Sequence, residues 1–126
     1  SFATNTYKFR KMVMRVRQRE IVEVPFTLPD GRVLVHPGLV VSSDDLQEVE
    51  DGLIYVLLIS SKNHHPEYTI KIENEWLSKP MSKQSYFITH IMGLYRVEEV
   101  ISQRNCFIKE KYFDRIIDKI INSIFG

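Results

Sequence analysis

The side chains of this sequence whose ordinary pKa values lie nearest to neutral pH, and which could therefore act as acids, bases, nucleophiles or metal ligands there, are four histidines and one cysteine. His64 and His65 are adjacent, and Glu67 is close by. Adjacent histidines on an extended loop point apart, and no third ligand follows at a zinc-like spacing, so the pattern predicts no metal site. The two imidazoles could instead line a groove, where they would stack on bases or contact phosphate, or they could be solvent-exposed. Cys106 has no recognisable nucleophile motif, and we expect it to be a small buried residue.

The sequence contains no glycine-rich phosphate loop and no nucleotide-binding fingerprint, so it predicts no cofactor. The 126 residues are 44% apolar, 26% charged and 11% aromatic, which is typical of one globular domain. A single cysteine argues against a disulfide scaffold and favours a reducing compartment, here the cytoplasm. The longest apolar stretches, such as residues 53–59, are too short to cross a bilayer, and no signal sequence is recognisable near the N-terminus. We therefore expect no membrane association.

The positive charge of the chain is concentrated in residues 1–19, which contain six basic residues and no acidic one; the remainder has eleven basic and sixteen acidic residues. Such a basic arm could attract nucleic acid, or it could be a solvated tail or sequence added for expression. Arg15, Arg17 and Arg19 alternate with uncharged residues, which hints at an edge strand. Because residue 1 is Ser, we expect the true start to be missing or trimmed. Residues 20–126 are predicted to form a single domain.

Beyond the arm, the pattern predicts short strands separated by turns. The predicted strands are residues 21–26, 38–42, 53–60, 68–72 and 85–91, with 32–35, 97–101 and 104–108 as further candidates. Residues 28–31 have a turn composition, and the acid-rich residues 43–52 are predicted to be a surface loop. Within the connection 73–84, Trp76 and Leu77 are expected to pack at the edge of the core.

The C-terminal segment changes period, because apolar residues recur there at spacings of three and four. These residues are Tyr112, Phe113, Ile116, Ile117, Ile120, Ile121, Ile124 and Phe125. They predict an amphipathic helix of about four turns, with a poorly defined start because Lys109 stands where an N-cap residue is expected. The broad apolar stripe could cover its own domain or meet a partner helix. Several short strands with one terminal helix predict a mainly β fold with α, a small, strongly bent antiparallel β-barrel of the SH3-like kind with a C-terminal amphipathic helix.

Three segments follow one another in an order that matches a known family. The first comprises residues 19–26 (REIVEVPF), 29–31 (PDG) and 36–42 (HPGLVVS). The second is LLISSK at residues 57–62, and the third is SYFI at residues 85–88, followed by a closing strand and helix over residues 104–125. Together they resemble the PemK/MazF toxins of type II toxin–antitoxin systems over roughly residues 20–126.

This resemblance implies a homodimeric endoribonuclease that cleaves single-stranded RNA without a metal ion. It also implies a cognate antitoxin, whose peptide wraps over the active groove and keeps the enzyme inactive. In the family, the ribose 2′-OH attacks the adjacent phosphate, which yields a cyclic phosphate and a free 5′-OH. An Arg before a Pro and the Thr of a Thr-Ser motif lie near the scissile phosphate.

This chain departs from the family at those positions. His36 occupies the Arg position and Ser60 the Thr position, while the acid or amide of the third motif falls on or beside His90. Serine keeps the hydroxyl donor, whereas histidine gives up a permanent bidentate phosphate clamp. The family's second Arg is also unmatched, and Arg96 is the candidate substitute.

The departures are consistent with acid–base catalysis by two histidines. If His36 and His90 face one groove, one could take the proton of the 2′-OH and the other could protonate the leaving oxygen. The catalytic candidates are therefore His36, Ser60 and His90. The predicted substrate-binding residues are Arg32, Ser61, Lys62, His64 and Arg96. Alternatively, His36 is a satisfied polar group at a strand start and His90 a packed strand residue.

Two other functions remain open on the same fold. The chain ends in SIFG at residues 123–126, which is similar to the short aromatic-Gly C-terminus of gyrase-poison toxins but lacks their Trp. A catalytically silent SH3-like module that binds RNA or a peptide is the other alternative, and the missing Arg favours it. The predicted partners of the leading interpretation are single-stranded RNA, an antitoxin and a second copy of the chain.

Overall fold

The computed structural model describes residues 15–28 and 30–126. The strands are β1 (Glu20–Thr27), β2 (Val33–Val40), β3 (Leu53–Ser60), β4 (Thr69–Lys71), β5 (Tyr86–Arg96) and β6 (Ser102–Phe107). The helices are α1 (Asp44–Val49) and α2 (Glu110–Phe125), with 3-10 turns at Pro66–Tyr68, Asn74–Trp76 and Val97–Glu99. The described strands form one sheet in the order β4-β5-β3-β2-β1-β6, and every pair is antiparallel. The predicted fold class, a bent antiparallel sheet with a C-terminal helix, is confirmed.

Apolar cores lie on both faces of the sheet. Ile21 and Leu39 are cross-strand partners, and both are fully buried in the cluster that contains Ile116 of α2. The residues that follow them, Val22 and Val40, belong to a second cluster on the opposite face. Because successive side chains of a strand point to opposite faces, the nearly continuous apolar runs of these strands reflect burial on both sides.

Residues 43–52, predicted to be a surface loop, instead contain α1. The Ser43 hydroxyl accepts a hydrogen bond from the Leu46 N–H at 3.1 Å, and Asp44 and Asp45 occupy the first turn. A serine N-cap satisfies a free backbone donor, and carboxylates near a helix N-terminus interact favourably with its dipole. The acidic residues that suggested a loop are therefore part of a helix start.

Residues 15–19 do not form the edge strand that their alternation suggests, because side chains satisfy the backbone N–H groups of residues 16–18, and backbone bonds to Val40 and Ile108 hold Arg19 alone. Val16 is fully buried in the second core, and the Gln47 side-chain amide donates to its carbonyl oxygen at 2.7 Å. Arg19 has a φ of 75° and donates from its guanidinium to the Ile108 carbonyl at 2.8 Å. This part of the predicted arm thus packs against the sheet, while residues 1–14 lie outside the described residues.

The remaining elements differ from the predictions mainly at their ends. The two candidate strands 32–35 and 38–42 are one continuous β2, and residues 97–101 contain a 3-10 turn rather than a strand. Trp76, Leu77 and Cys106 are buried as expected. Helix α2 is confirmed, and its N-cap residue Lys109 makes no side-chain capping bond. No helix in the described part of the chain is long and apolar enough to cross a membrane.

Candidate active site

The candidate site lies where β2 and β3 separate. The last paired residues of these two strands are Gly38 and Leu58. Pro37, the preceding residue, has no N–H to donate to a sheet ladder. On the far side of this point β2 carries His36 and β3 carries Ser60, and the space between the two strands opens into a groove.

Gly38 allows the two strands to approach closely at the point where they diverge. A Cβ atom at this position would overlap Cγ1 of Val56 and would lie 3.0 Å from the Leu57 carbonyl oxygen. The absence of a side chain at Gly38 therefore fixes the inner end of the groove, and a larger residue would force β2 away from β3.

The groove between β2 and β3, here called the basic groove, has a volume of about 650 Å³. It is lined by Leu28, Arg32, Leu34, His36, Pro37, Ile59, Ser60, Ser61, Lys62, Met81, Ser82, Lys83, Ser85 and Arg104. Four of these side chains are cationic and none is a carboxylate. The chain beyond residue 19 has more acidic than basic residues, so this lining is a local concentration of positive charge.

Five of the predicted site residues meet in the basic groove: Arg32, His36, Ser60, Ser61 and Lys62. Sequence reasoning missed two further cations of the lining. Lys83 comes from the connection before β5, and Arg104 comes from β6, which reaches the groove by pairing with β1. Neither residue stands in a motif, so the sequence holds no local signal for them.

The imidazole of His36 is half-buried and lies against an aromatic ring. Its centroid is 6.0 Å from that of Phe26, and the two rings are perpendicular. The β1–β2 register places His36 opposite Val24, which belongs to the second core. The imidazole therefore stands at the rim of that core, and the core limits how far it can rotate.

The cations of the basic groove fall into two kinds. Nε of Arg32 lies 2.7 Å from Oδ2 of Asp30. Hydrogen bonds from the backbone N–H of Arg32 and, to a smaller extent, from its side chain lower the pKa of the Asp30 carboxyl group. Nε of Arg104 lies 3.2 Å from Oε1 of Glu23. Among the described residues no carboxylate lies within ion-pair distance of the ammonium groups of Lys62 and Lys83. These two groups thus carry positive charge that a bound anion could neutralise.

A second cavity, here called the histidine hollow, adjoins the basic groove. It has a volume of about 330 Å³. It is lined by Leu58, Ser60, Lys62, His64, His65, Thr69, Ile88, His90 and Ile91. Ser60 and Lys62 line both cavities, so the end of β3 forms the boundary between them.

The structure does not bring His90 to His36. His90 on β5 lines the histidine hollow, as does His64, whereas His36 on β2 lines the basic groove. Strand β3 lies between β2 and β5, and two strand spacings amount to about 10 Å. The two imidazoles, which the sequence suggested could face one groove, therefore line separate cavities that share Ser60 and Lys62.

Arg96 also lies away from the site. It is opposite Leu53, at the far end of β3 from Ser60, which is a distance of about 23 Å along an eight-residue strand. Its guanidinium donates to the carbonyl oxygen of Glu50, just after α1. Arg96 therefore ties a helix end to the sheet and does not replace an arginine of the groove.

No group of three or more His, Cys, Asp or Glu side chains that could hold a metal ion occurs within residues 15–28 and 30–126. What the basic groove offers is an imidazole that can move a proton, the Ser60 hydroxyl, and several cationic groups. The Ser60 hydroxyl accepts from the Lys62 N–H at 3.1 Å, which turns the chain so that Lys62 follows the groove. Such a set can bind a phosphodiester and stabilise added negative charge on it.

Comparison with known proteins finds likeness in structure only. No protein-family model matches the chain, and no curated protein matches its sequence. An endoribonuclease from a mycobacterial species, solved in complex with its cognate antitoxin, superposes with a TM-score of 0.67 at 8% identity, over 86% of this chain and 94% of that one.

Two further solved structures are similar. The Mycobacterium tuberculosis toxin MazF-mt6 has a TM-score of 0.63 at 11% identity, over 83% of this chain and 95% of that chain. MazF from Deinococcus radiodurans has a TM-score of 0.67 at 11% identity, over 85% of this chain and 94% of its own. At such identities the likeness shows that the folds agree, and function has to be argued from the site.

Proposed function

We propose that this protein is a cytoplasmic toxin of a type II toxin–antitoxin system, a metal-independent endoribonuclease that cleaves single-stranded RNA. The observation that carries the proposal is the basic groove, in which one imidazole and four cationic side chains face a space without a lining carboxylate. The positive charge of its lining matches the negative charge of a phosphodiester backbone. Its structural neighbours include an endoribonuclease and MazF toxins, which supports the same function.

In the proposed reaction, the ribose 2′-oxygen attacks the neighbouring phosphorus, and the bond from phosphorus to the 5′-oxygen breaks. His36 accepts the proton of the 2′-OH. Lys62 and Lys83 stabilise the negative charge that builds up on the phosphate oxygens, and the Ser60 hydroxyl donates to one of them. The leaving 5′-oxygen takes its proton from solvent, which enters the open groove. The products are a cyclic phosphate and a 5′-OH end.

We further propose that the protein acts as a homodimer under the control of an antitoxin. At the end of α2, Ile121, Ile124 and Phe125 are 50%, 43% and 80% exposed, and a second copy of the chain would bury such an apolar surface. One structural neighbour was solved with its cognate antitoxin. An antitoxin segment with carboxylates would complement the unpaired ammonium groups of the basic groove.

The test is incubation of the purified protein with a long single-stranded RNA in EDTA, followed by analysis of the new ends. We expect cyclic phosphate and 5′-OH ends, and a loss of at least about a hundredfold in rate for His36→Ala. Lys119→Ala on α2 is the control and should cut at the wild-type rate. Thermal unfolding of each variant checks that it is folded.

Two results would contradict the proposal. If the folded wild-type protein leaves the RNA intact, it is not a ribonuclease. If His36→Ala cuts as fast as the wild type, the reaction does not depend on this imidazole.

One observation favours the gyrase-directed alternative. Phe125, which the sequence pattern assigns to the helix stripe, is 80% exposed in a C-terminal SIFG segment. Deletion of residues 124–126 should abolish an effect on DNA gyrase, whereas it should reduce RNA cleavage only as far as the truncated protein loses its dimeric state or its stability. DNA cleavage by gyrase and the oligomeric state, both measured with and without residues 124–126, separate the two functions.

A further inference from the structure

We propose that the histidine hollow is a nucleobase subsite, which takes one unpaired base of the RNA next to the phosphate held in the basic groove. This inference rests on the proposed function insofar as it takes RNA as the ligand. It assigns a role to His65 and His90, which the proposed reaction leaves unused.

The lining of the histidine hollow suits a flat aromatic ligand with polar edges. Leu58, Ile88 and Ile91 provide apolar surface, and His65 and His90 provide groups that can both stack and hydrogen-bond. The volume of about 330 Å³ accommodates a single base. No carboxylate lines the hollow, so a nucleotide would meet no like charge there.

Three rings already form a row at the hollow. The centroids of His65 and His90 are 6.4 Å apart, and those of His90 and Tyr68 are 4.9 Å apart. His65 and His90 are exposed, and Tyr68 is 38% exposed. Solvent-facing aromatic rings beside a basic groove are the arrangement by which proteins stack unpaired bases.

Hydrogen bonds hold this row in place before any ligand binds. The buried Thr89 hydroxyl donates to the Tyr68 carbonyl oxygen at 2.6 Å. In the loop that carries the histidines, the Thr69 hydroxyl lies 2.8 Å from Oδ1 of Asn63. A subsite that is already ordered binds its ligand with a smaller loss of conformational entropy.

Charge also favours the histidine hollow over the other cavity that adjoins the basic groove. That other cavity shares Met81, Ser82, Lys83 and Ser85 with the groove but is also lined by Glu73 and Glu75. These carboxylates would repel the next phosphate. By contrast, Lys62 lines both the groove and the histidine hollow, so it can hold the phosphate that joins the two nucleotides.

The test uses NMR spectroscopy of the imidazole C–H groups, because the chain has only four histidines and single variants assign them. The full chain is titrated with AMP, with UMP and, as a control, with inorganic phosphate. We expect at least one nucleotide to shift the His65 and His90 signals well beyond the shift that phosphate causes. His90→Ala should weaken the binding of that nucleotide about tenfold. In His36→Ala, the nucleotide should still shift the His65 signal. Nucleotide shifts no larger than those from phosphate would overturn the proposal.

Cleavage of a random-sequence RNA provides the second readout. Wild-type protein should prefer certain bases at one position beside the cut, and His65→Ala should reduce that preference about tenfold while the ends stay cyclic phosphate and 5′-OH. An unchanged preference in both His65→Ala and His90→Ala would refute the subsite while the ribonuclease function stands. Nucleotide binding in the hollow without any RNA cleavage would refute the ribonuclease function and keep the subsite.

Discussion

The ring of Phe26 meets the imidazole of His36 edge-on, and their centroids are 6.0 Å apart. Phe26 also contacts Tyr95, and the centroids of these two rings are 5.9 Å apart. The Tyr95 hydroxyl donates to the Pro25 carbonyl oxygen at 3.0 Å. Side chains from β1, β2 and β5 thus fix one another at the rim of the second core. The group proposed to move the proton is therefore held in position by packing, and the RNA does not have to order it.

This contact makes Phe26 a positioning residue for His36. We expect Phe26→Ala to lower kcat about tenfold and to leave KM for RNA nearly unchanged, because the imidazole gains freedom while the cations still bind the phosphates. Phe26→Tyr keeps the ring and should retain most of the rate. A rise in KM at constant kcat would show instead that Phe26 contacts the RNA.

Removal of a cation from the basic groove should weaken RNA binding in a salt-dependent way. For Lys83→Ala we expect the slope of log affinity against log salt to decrease by about 0.7, the value for one lost contact to a single strand. Arg104→Ala should weaken binding more, because it also leaves Glu23 without its ion-pair partner at the groove. Fluorescence anisotropy with a labelled, 2′-deoxy single strand at several salt concentrations measures both.

Lys119→Ala, which removes a charge from α2, is the control for these variants and should leave the slope unchanged. Equal slopes for Lys83→Ala and the wild type would mean that Lys83 does not contact the RNA backbone.

The close approach of β2 and β3 predicts a specific cost for a methyl group at Gly38. We expect Gly38→Ala to lower the free energy of unfolding by about 1–3 kcal/mol, because its Cβ would overlap Cγ1 of the fully buried Val56 and meet the Leu57 carbonyl oxygen. Val35→Ala, at an exposed position of the same strand, is the comparison and should cost less. Urea unfolding should show the larger loss at Gly38, and a larger loss at Val35 would contradict this account.

The buried hydroxyl of Thr89 predicts a second stability effect. It contacts the Tyr68 carbonyl at 2.6 Å and the Ser123 hydroxyl at 2.7 Å, so it joins β5 to α2 and to the loop before β4. Thr89→Val keeps the shape of the side chain but removes its hydroxyl. We expect it to lower the free energy of unfolding by about 1–3 kcal/mol, because the Tyr68 carbonyl loses its hydrogen-bond donor. Ser123→Ala should cost less, and an equal or greater cost for Ser123→Ala would contradict this assignment.

The fold was predictable where one local pattern decides the structure. Strand β3 has the predicted bounds because its continuous apolar run is buried on both faces, and α2 follows from its period. Helix α1 was missed because Asp44 and Asp45 are equally common in loops. Only the capping role of Ser43 distinguishes the two cases.

The candidate site was predictable only in part, for a topological reason. Ser60 and Lys62 are close in sequence, so any strand that ends there brings them together. Arg104 reaches the groove through the pairing of β6 with β1. Because these strands are far apart in the sequence, no local sequence pattern predicts which of their residues are paired. Likewise, the separation of His36 from His90 depends on the strand order, which places β3 between them.

The phenol of Tyr95 makes stability depend on pH in the alkaline range. Burial raises the pKa of Tyr95, and the nearby carboxylate of Glu99 adds to the effect. In the unfolded chain a tyrosine ionises near pH 10. Because the folded pKa is the higher one, the stabilisation is fully present below about pH 10 and is lost as the pH rises through the folded pKa.

Tyr95→Phe should therefore be less stable than the wild type at neutral pH, by about 1 kcal/mol for the lost hydrogen bond to Pro25. The difference should shrink above pH ~10, since only the wild type pays the cost of ionising this phenol. Urea unfolding at several pH values between ~7 and ~11 measures it, with Tyr55→Phe as a control that keeps Tyr95. A difference that stays constant across this range would show that the fold does not disfavour ionisation of Tyr95.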